Sequence, residues 1–398
     1  MKHYFTFLLS FIIIQTVAAQ QTGSIEGTPA SINGLNYKLD EETLEATLDN
    51  ANSWEGDLKL PSLVNYKGKN YTLTRIASFA FGGCETLTKV TIPETVREIY
   101  WFTYLQQCKA PFQSCKNLES IVVEETNEWM CSIDGVLFNK DRTQLYNYPA
   151  GAKRQTYTIP YGVEWIGESA FNDCKHLTSI SIPNTVNKIH AMTFQGCENI
   201  EQITMPDNIS VIPQNAFALC YKLKEIVLPK NTTTIETRAF LYCDKLEKIE
   251  FPSHLEKIST LAFFNCTSLK KADFSESIRE IEVGAFSGCP LDTIIIRGKD
   301  SSKIYKEIFH SISPSVVYVP STEVSQYKEI CSSLILPLSA YNPTAIRNLS
   351  ESPDNGISPR SKVKGQCSKF YDLSGRRLSA PPARGLYIED GKVKASHR

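Results

Sequence analysis

Charge of one sign is missing from this chain of 398 residues. Its 42 basic and 43 acidic side chains cancel to a net charge of −1, so it has no cationic footprint for a nucleic-acid backbone. Histidine is scarce, at 6, and no Cys-x-x-Cys pair occurs, which removes the short convergent spacings of a zinc site. There is no His-Glu-x-x-His, no Gly-x-Ser-x-Gly, no glycine-rich phosphate loop and no kinase signature. Adjacent carboxylates such as Glu41-Glu42 and Glu124-Glu125 are surface charge, and no pair stands out as catalytic. No catalytic residue, cofactor or metal is therefore expected. Long apolar runs are absent after the N-terminus, so no segment there has the ~20 residues of a membrane span.

What is present begins with MKHYFTFLLSFIIIQTVAAQ. Lys2, the apolar run Phe5 to Ile14 and the small exit Val17-Ala18-Ala19 read as a secretory signal peptide over residues 1–19. Twelve cysteines in an exported chain would ordinarily mean a disulfide scaffold. Their placement says otherwise. Cys174, Cys197, Cys220, Cys243, Cys266 and Cys289 are each 23 residues apart, and Phe171, Phe194, Phe217, Phe240, Phe263 and Phe286 precede them by three. Phe81/Cys84 and Phe112/Cys115 are two earlier copies with altered spacing. One clean period runs Cys174, Leu177, Ile180, Ile182, Pro183, Val186, Ile189, Thr193, Phe194. Leu-x-x-Ile-x-Ile ends with period two and is stopped by proline, which predicts a short strand. Val-x-x-Ile predicts a second extended piece, and Ala-Phe a returning turn. One such coil cannot bury its own apolar side chains; stacked coils share one core.

The register, with Ala-Phe-x-x-Cys and Ile-Pro-x-x-Val-x-x-Ile, resembles the BspA-like leucine-rich repeats of bacterial surface antigens, of the 23-residue Treponema/Bacteroides type. The resemblance spans Ile76 to Ile296. It implies a β-rich α/β repeat solenoid, right-handed, with a parallel sheet. Its flanks look like that family's N-terminal β cap (residues 20–75) and closing segment (301–342), and residues 131–158 like its inserted β-hairpin. The repeats then occupy residues 76–300. Residues 343–366 read as a polar linker. Residues 367–398, through Tyr371, Asp372, Gly375, Arg376, Gly385 and Tyr387, resemble C-terminal sorting segments of exported Bacteroidetes proteins. Departures are visible. About eight extra residues stand in Tyr100 to Ala110, Thr232 replaces an apolar residue, and Cys289 to Leu291 is one residue short.

Equivalent side chains in stacked coils point the same way, so their Cβ atoms stay near the ~4.8 Å strand spacing, wider than the ~3.8 Å of a relaxed disulfide. Ladder cysteines are thus expected as buried free thiols acting as small hydrophobes. A bonded ladder is the rival. Off-ladder Cys108, Cys131, Cys331 and Cys367 are left open. Outward strand positions give a column Ser181, Thr204, Val227, Glu250, Asp273, Ile295, flanked by Glu225, Lys248 and Lys271, with no aromatic on it. That face is one candidate interaction surface. The aromatics Trp101, Tyr104 and Trp129 in the irregular parts are another. The resemblance implies a monomeric, non-enzymatic protein at the cell surface or secreted, binding a protein or glycoprotein in host matrix or on other cells, and no nucleic acid. Two alternatives stand beside it: carbohydrate or nutrient capture, and a hydrolase with its site in a cap.

Overall fold

The computed structural model describes residues 27–99, 110–298, 312, 314–330 and 333–341, and four strands in the tail. The signal peptide at 1–19, Trp101, Tyr104, Cys108, Cys331, Cys367 and the linker at 343–366 lie outside the described residues. The chain divides into two compact units, Met1–Gln155 with Gly162–His176, and Thr156–Tyr161 with Leu177–Arg398.

In the first unit β1 (Thr28–Ile32), β2 (Leu35–Asp40) and β3 (Glu45–Asn50) form an antiparallel meander. Leu35, Tyr37 and Leu39 of β2 are buried with partly exposed residues between them, the period of two that a one-sided strand imposes. After β4 (Gly56–Lys59) comes a hairpin of β5 (Leu63–Tyr66) and β6 (Lys69–Ile76), turning on Lys67-Gly68, both with positive φ (50° and 79°). Parallel pairing then takes over. β4 pairs with β7 (Leu87–Ile92) and β7 with β9 (Ser120–Val123). β6 pairs with β3 and with the two-residue β8 (Glu98–Ile99). Each coil thus contributes a long strand to one ladder and a short strand to another.

A hairpin of β10 (Met130–Ile133) and β11 (Val136–Asn139) interrupts the coils, turning on Asp134 and Gly135 with φ of 50° and 79°. Gly135 is needed for a second reason: a Cβ there would stand 2.8 Å from Ser120 Oγ. β12 (Gln144–Asn147) runs back along β11.

β13 (Thr156–Thr158) belongs to the second unit, while β14 (Trp165–Ile166) lies in the first and pairs in parallel with β12. The second unit's long strands are β15 (Ser179–Ser181), β17 (Gln202–Thr204), β19 (Glu225–Val227), β21 (Lys248–Glu250), β23 (Lys271–Phe274) and β25 (Thr293–Ile296). Its short strands are β16 (Lys188–Ile189), β18 (Val211–Ile212), β20 (Thr234–Ile235), β22 (Lys257–Ile258) and β24 (Glu280–Ile281). β26 (Val316–Val319), helix α1 (Val324–Ile330), β27 (Leu334–Pro337) and a 3-10 turn over Leu338–Ala340 close the stack. In the tail, β28 (Phe370–Tyr371), β29 (Arg377–Leu378), β30 (Arg384–Glu389) and β31 (Lys392–His397) form an antiparallel sheet in the order β29-β28-β30-β31. The fold is a β-rich repeat solenoid built on parallel sheets. Among the described residues, helix is confined to α1 and that one 3-10 turn.

Opposite the long strands runs a column of turns. Phe194, Phe217, Phe240, Phe263 and Phe286 are buried and stack ring on ring, with centroids 5.3, 5.2, 5.0 and 5.0 Å apart. Each Phe N–H from 194 to 263 donates to the alanine carbonyl one coil on, for example Phe240 to Ala262 at 2.7 Å. Phe171 and Cys174, in the first unit, are equally buried, and Phe171 stacks on Tyr148 at 5.1 Å. Tyr148 N donates to Ala170 O, so a tyrosine holds the phenylalanine position in the hairpin coil, a copy the sequence pattern does not reveal.

Every ladder cysteine is buried and a free thiol. Five S–H groups reach one coil back: Cys220, Cys243, Cys266 and Cys289 donate to the carbonyls of Phe194, Phe217, Phe240 and Phe263 at 3.3, 3.2, 3.2 and 2.9 Å, and Cys115 to Phe81 at 3.0 Å, whereas the Cys174 thiol lies 3.9 Å from Asn172 O in its own coil. The contact between coils explains a thiol where alanine would fit: it gives the carbonyl a partner from the neighbouring coil as well as its own. Burial pushes the thiols of Cys115, Cys220, Cys243 and Cys266 well above the usual range. Thr232, the polar exception, is buried with its hydroxyl donating to Ile209 O at 3.2 Å.

Candidate interaction surface

The outward column is laid out by strand registers. Ser181 pairs with Thr204, Val227 with Glu250, and Asp273 with Ile295. Behind it Ile180, Ile203, Ile226 and Ile249 are buried. Thr204, Glu225, Val227, Lys248 and Glu250 are exposed, and Val227 is 73% exposed in the middle of its strand. Lys271 and Asp273 are only half-exposed.

Ile295 does not belong to the open face: it is 0% exposed. The closing segment causes this. β26 sets Tyr318 beside Ile295, and Tyr341, just past the 3-10 turn, packs edge-on against Tyr318 at 5.1 Å. Tyr341 also accepts a hydrogen bond from Lys271 Nζ at 2.8 Å, with Lys271 and Arg297 lying 5.4 and 5.9 Å from its ring centre. The end of the face is therefore covered, and aromatic.

Charges on the face are largely paired. Lys224 meets Glu201 at 3.0 Å, Lys248 meets Glu250 at 2.9 Å, and Arg297 holds Asp273 through two nitrogens at 3.1 and 3.2 Å. Two hollows lie on it, of about 340 Å³ between β17, β19 and β21, and about 470 Å³ between β21 and β23. Half-buried Phe251 lines the larger one, so the face is not free of aromatics as the sequence column implies.

Trp129, in the first unit, is 55% exposed while its neighbour Met130 is buried. Its backbone is clamped by Asn127, which is fully buried. Asn127 Nδ2 donates to the carbonyls of Pro93 and Val96, and its Oδ1 accepts from the N–H groups of Trp129 and Met130. All four hydrogen-bonding positions of the amide are filled, so the exposed indole is presented from a rigid corner. Of the remaining candidates, half-buried Cys131 directs its thiol at Asn139 O, 3.4 Å away. His176 and His254 are exposed, whereas His190 is half-buried, and burial, with Lys188 beside it, lowers its pKa. Among the described residues no cluster of three metal-ligating side chains occurs.

The family model for BspA-type leucine-rich repeat regions matches residues 62–130, 147–262 and 233–333, in six copies and over more than half of the chain. The chain belongs to the BspA-type leucine-rich repeat family. Its members carry protein-binding or cell-surface roles on scaffolds that are not typically catalytic. Among solved structures, a BspA-type chain such as this is similar to a leucine-rich repeat protein from Bacteroides ovatus, with 25% identity over 73% of this chain and 70% of that one, TM-score 0.47. A leucine-rich repeat protein from Eubacterium ventriosum gives 24% identity over 63% and 68%, TM-score 0.48. A leucine rich cell surface protein from Faecalibacterium prausnitzii gives 21% over 62% and 95%, TM-score 0.39. No curated protein matches. Among the described residues, no helix is long and apolar enough to cross a membrane.

Proposed function

We propose that this BspA-type protein is exported, displayed at the cell surface, and binds a protein or glycoprotein of host matrix or of other cells through the outward face of its long strands. The observation that carries the reading is a contrast within the second unit's coils. Residues on the inner side of β15 to β21 repeat as Ile180, Ile203, Ile226 and Ile249, while the outer column changes at every step, Ser181, Thr204, Val227, Glu250. A stack that keeps its inside and varies its outside presents a rigid surface with a distinct side chain at each rung, the arrangement repeat proteins use for large partners. Val227, apolar and exposed among paired charges, is the natural central anchor. The chain acts as a monomer without cofactor. Residues 1–19 direct export, 20–75 and 301–342 cap the stack, and 367–398 serve as address or anchor beyond the linker.

The experiment is capture of matrix proteins and of whole bacterial cells by the immobilised mature chain, compared with Val227→Lys. Binding of at least one target is expected, weakened about tenfold or more by Val227→Lys at unchanged melting temperature. No capture of either target, or equal capture by the variant, overturns the reading.

A further inference from the structure

The long-strand ladder of the second unit is interrupted twice. Strand pairing runs β13-β15-β17, β19-β21 and β23-β25-β26-β27, and among the described residues no ladder joins β17 to β19 or β21 to β23. Behind both gaps the coils stay locked, because the short strands pair continuously through β18, β20, β22 and β24 and the phenylalanine stack is unbroken. The two hollows of the outward face lie on these two seams.

At the β21–β23 seam the side chains differ from those of the preceding coils. The position before the strand-ending turn is Ile182, Met205 and Leu228 in the preceding coils, but Phe251 and Phe274 here, in consecutive coils. Their rings meet tilted by 31° with centroids 5.0 Å apart, and Phe251 also strikes Phe263 and Phe286 edge-on. The tilted ring pair marks this seam, at the same 5.0 Å spacing as the stacked turn phenylalanines. At the β17–β19 seam the column holds Met205 and Leu228, and nothing in the packing explains that lapse.

From this geometry we infer that the β21–β23 seam is a binding cleft for an uncharged oligosaccharide. The hollow of about 470 Å³ falls in the size range of small-ligand sites. Half-buried Phe251 lines it and gives apolar surface for the C–H side of a sugar. Its walls carry three cations and three anions, Lys248, Lys271 and Arg297 against Glu247, Glu250 and Asp273, with Lys248 paired to Glu250, and Arg297 and Lys271 to Asp273. Balanced charge gives no preference for a charged ligand, and a wall of mixed donors and acceptors suits hydroxyls, which both donate and accept. Ser275 Oγ, donating to Ser253 O at 3.1 Å across the seam, ends the cleft with two more hydroxyl-bearing residues. A peptide strand inserted between β21 and β23 is ruled out by the closed ladders behind. The smaller seam, lined by Glu201, Gln202, Lys224, Glu225, Glu247 and Lys248, has no aromatic floor and is assigned no ligand.

The cleft lies on the proposed partner-binding face and shares residues with it, and the test separates the two claims. The mature chain is titrated by calorimetry with a panel of uncharged di- to tetrasaccharides of glucose, galactose and mannose, with their sulfated counterparts and with short mixed-sequence peptides. Phe251→Leu installs the residue that the Leu228 coil already carries, so it should fold while removing the ring; Arg297→Gln removes a wall donor. At least one uncharged sugar is expected to bind, insensitively to salt, and about tenfold or more weaker in both variants. Protein capture by Phe251→Leu should remain as in the parent chain. No binding by any uncharged sugar, undiminished binding in Phe251→Leu, or binding only of sulfated sugars or peptides overturns the inference.

Discussion

The turn column and the outward strands of the second unit belong to the same coils and obey opposite rules. In the turn column the same contacts recur from coil to coil: ring on ring within 5.0 to 5.3 Å, Phe N–H to Ala carbonyl from Phe194 to Phe263, and thiol to the preceding Phe carbonyl from Cys220 to Cys289. On the strand side the outer residues differ at each rung and the ladder lapses twice. Register is therefore kept at the back. A coil locked there tolerates a changed or even unpaired front, and this is the freedom a binding surface needs.

The sharpest way to break that comparison is Phe240→Ala. Phe240 is fully buried between Phe217 and Phe263, at 5.2 and 5.0 Å. Neighbouring rings are pinned by their own backbone bonds and cannot collapse into the space, so the loss should reach about 3–5 kcal/mol in chemical denaturation. A loss no larger than that of a front-face substitution would mean the turns do not hold the register.

Alkali attacks the same column. For Cys115, Cys220, Cys243 and Cys266 burial raises the folded pKa above the ordinary thiol value of 9.0. Below that value both states hold the proton, and the full stability is present. Above it the unfolded chain releases protons that the folded chain retains, so stability falls as pH rises. Each thiol contributes a slope of about 1.4 kcal/mol per pH unit. Denaturation midpoints measured upward from neutral pH should drop steeply beyond about pH 9, and Cys243→Ala should shed one thiol's share of the slope. A flat profile would place the thiols in contact with water.

The period, the strand and the phenylalanine and cysteine columns were legible because each is a residue type fixed at a fixed spacing. Two features of the turns were not. Each regular turn carries two left-handed residues, one and five before the cysteine, as in Arg238 and Tyr242 (φ 58° and 56°) or Leu261 and Asn265 (57° and 59°). Their N–H groups point to the next coil, Arg238 to Thr260 O and Tyr242 to Phe264 O. Glycine marks such a site at only some copies, Gly83, Gly196, Gly284 and Gly288; elsewhere the stack imposes a conformation that the residue disfavours. Ile295 was misread as outward-exposed because its neighbour on the sheet, Tyr318, belongs to the closing segment beyond the regular repeats. The seam at Phe251 was hidden for a related reason: a phenylalanine in an inward column looks like core until the next coil brings another to the same place.

Lys248→Ala should show the smallest effect and bears most directly on the front face. Lys248 lies on β21 beside the open seam, and its contact with Glu250 spans 2.9 Å between side chains 69% and 71% exposed. Solvent screens such a pair, and holding two long side chains together offsets most of the attraction. The short ladder and the turn column behind β21 remain whole when the ammonium is lost, so denaturation should register a change within about 0.5 kcal/mol. A cost above about 1 kcal/mol would show that the front of the seam is bound together by its ion pairs. In that case the ion pairs, and not only the ladder and turns behind them, would hold β21 in place, and stability and recognition would no longer reside on opposite sides of the coil.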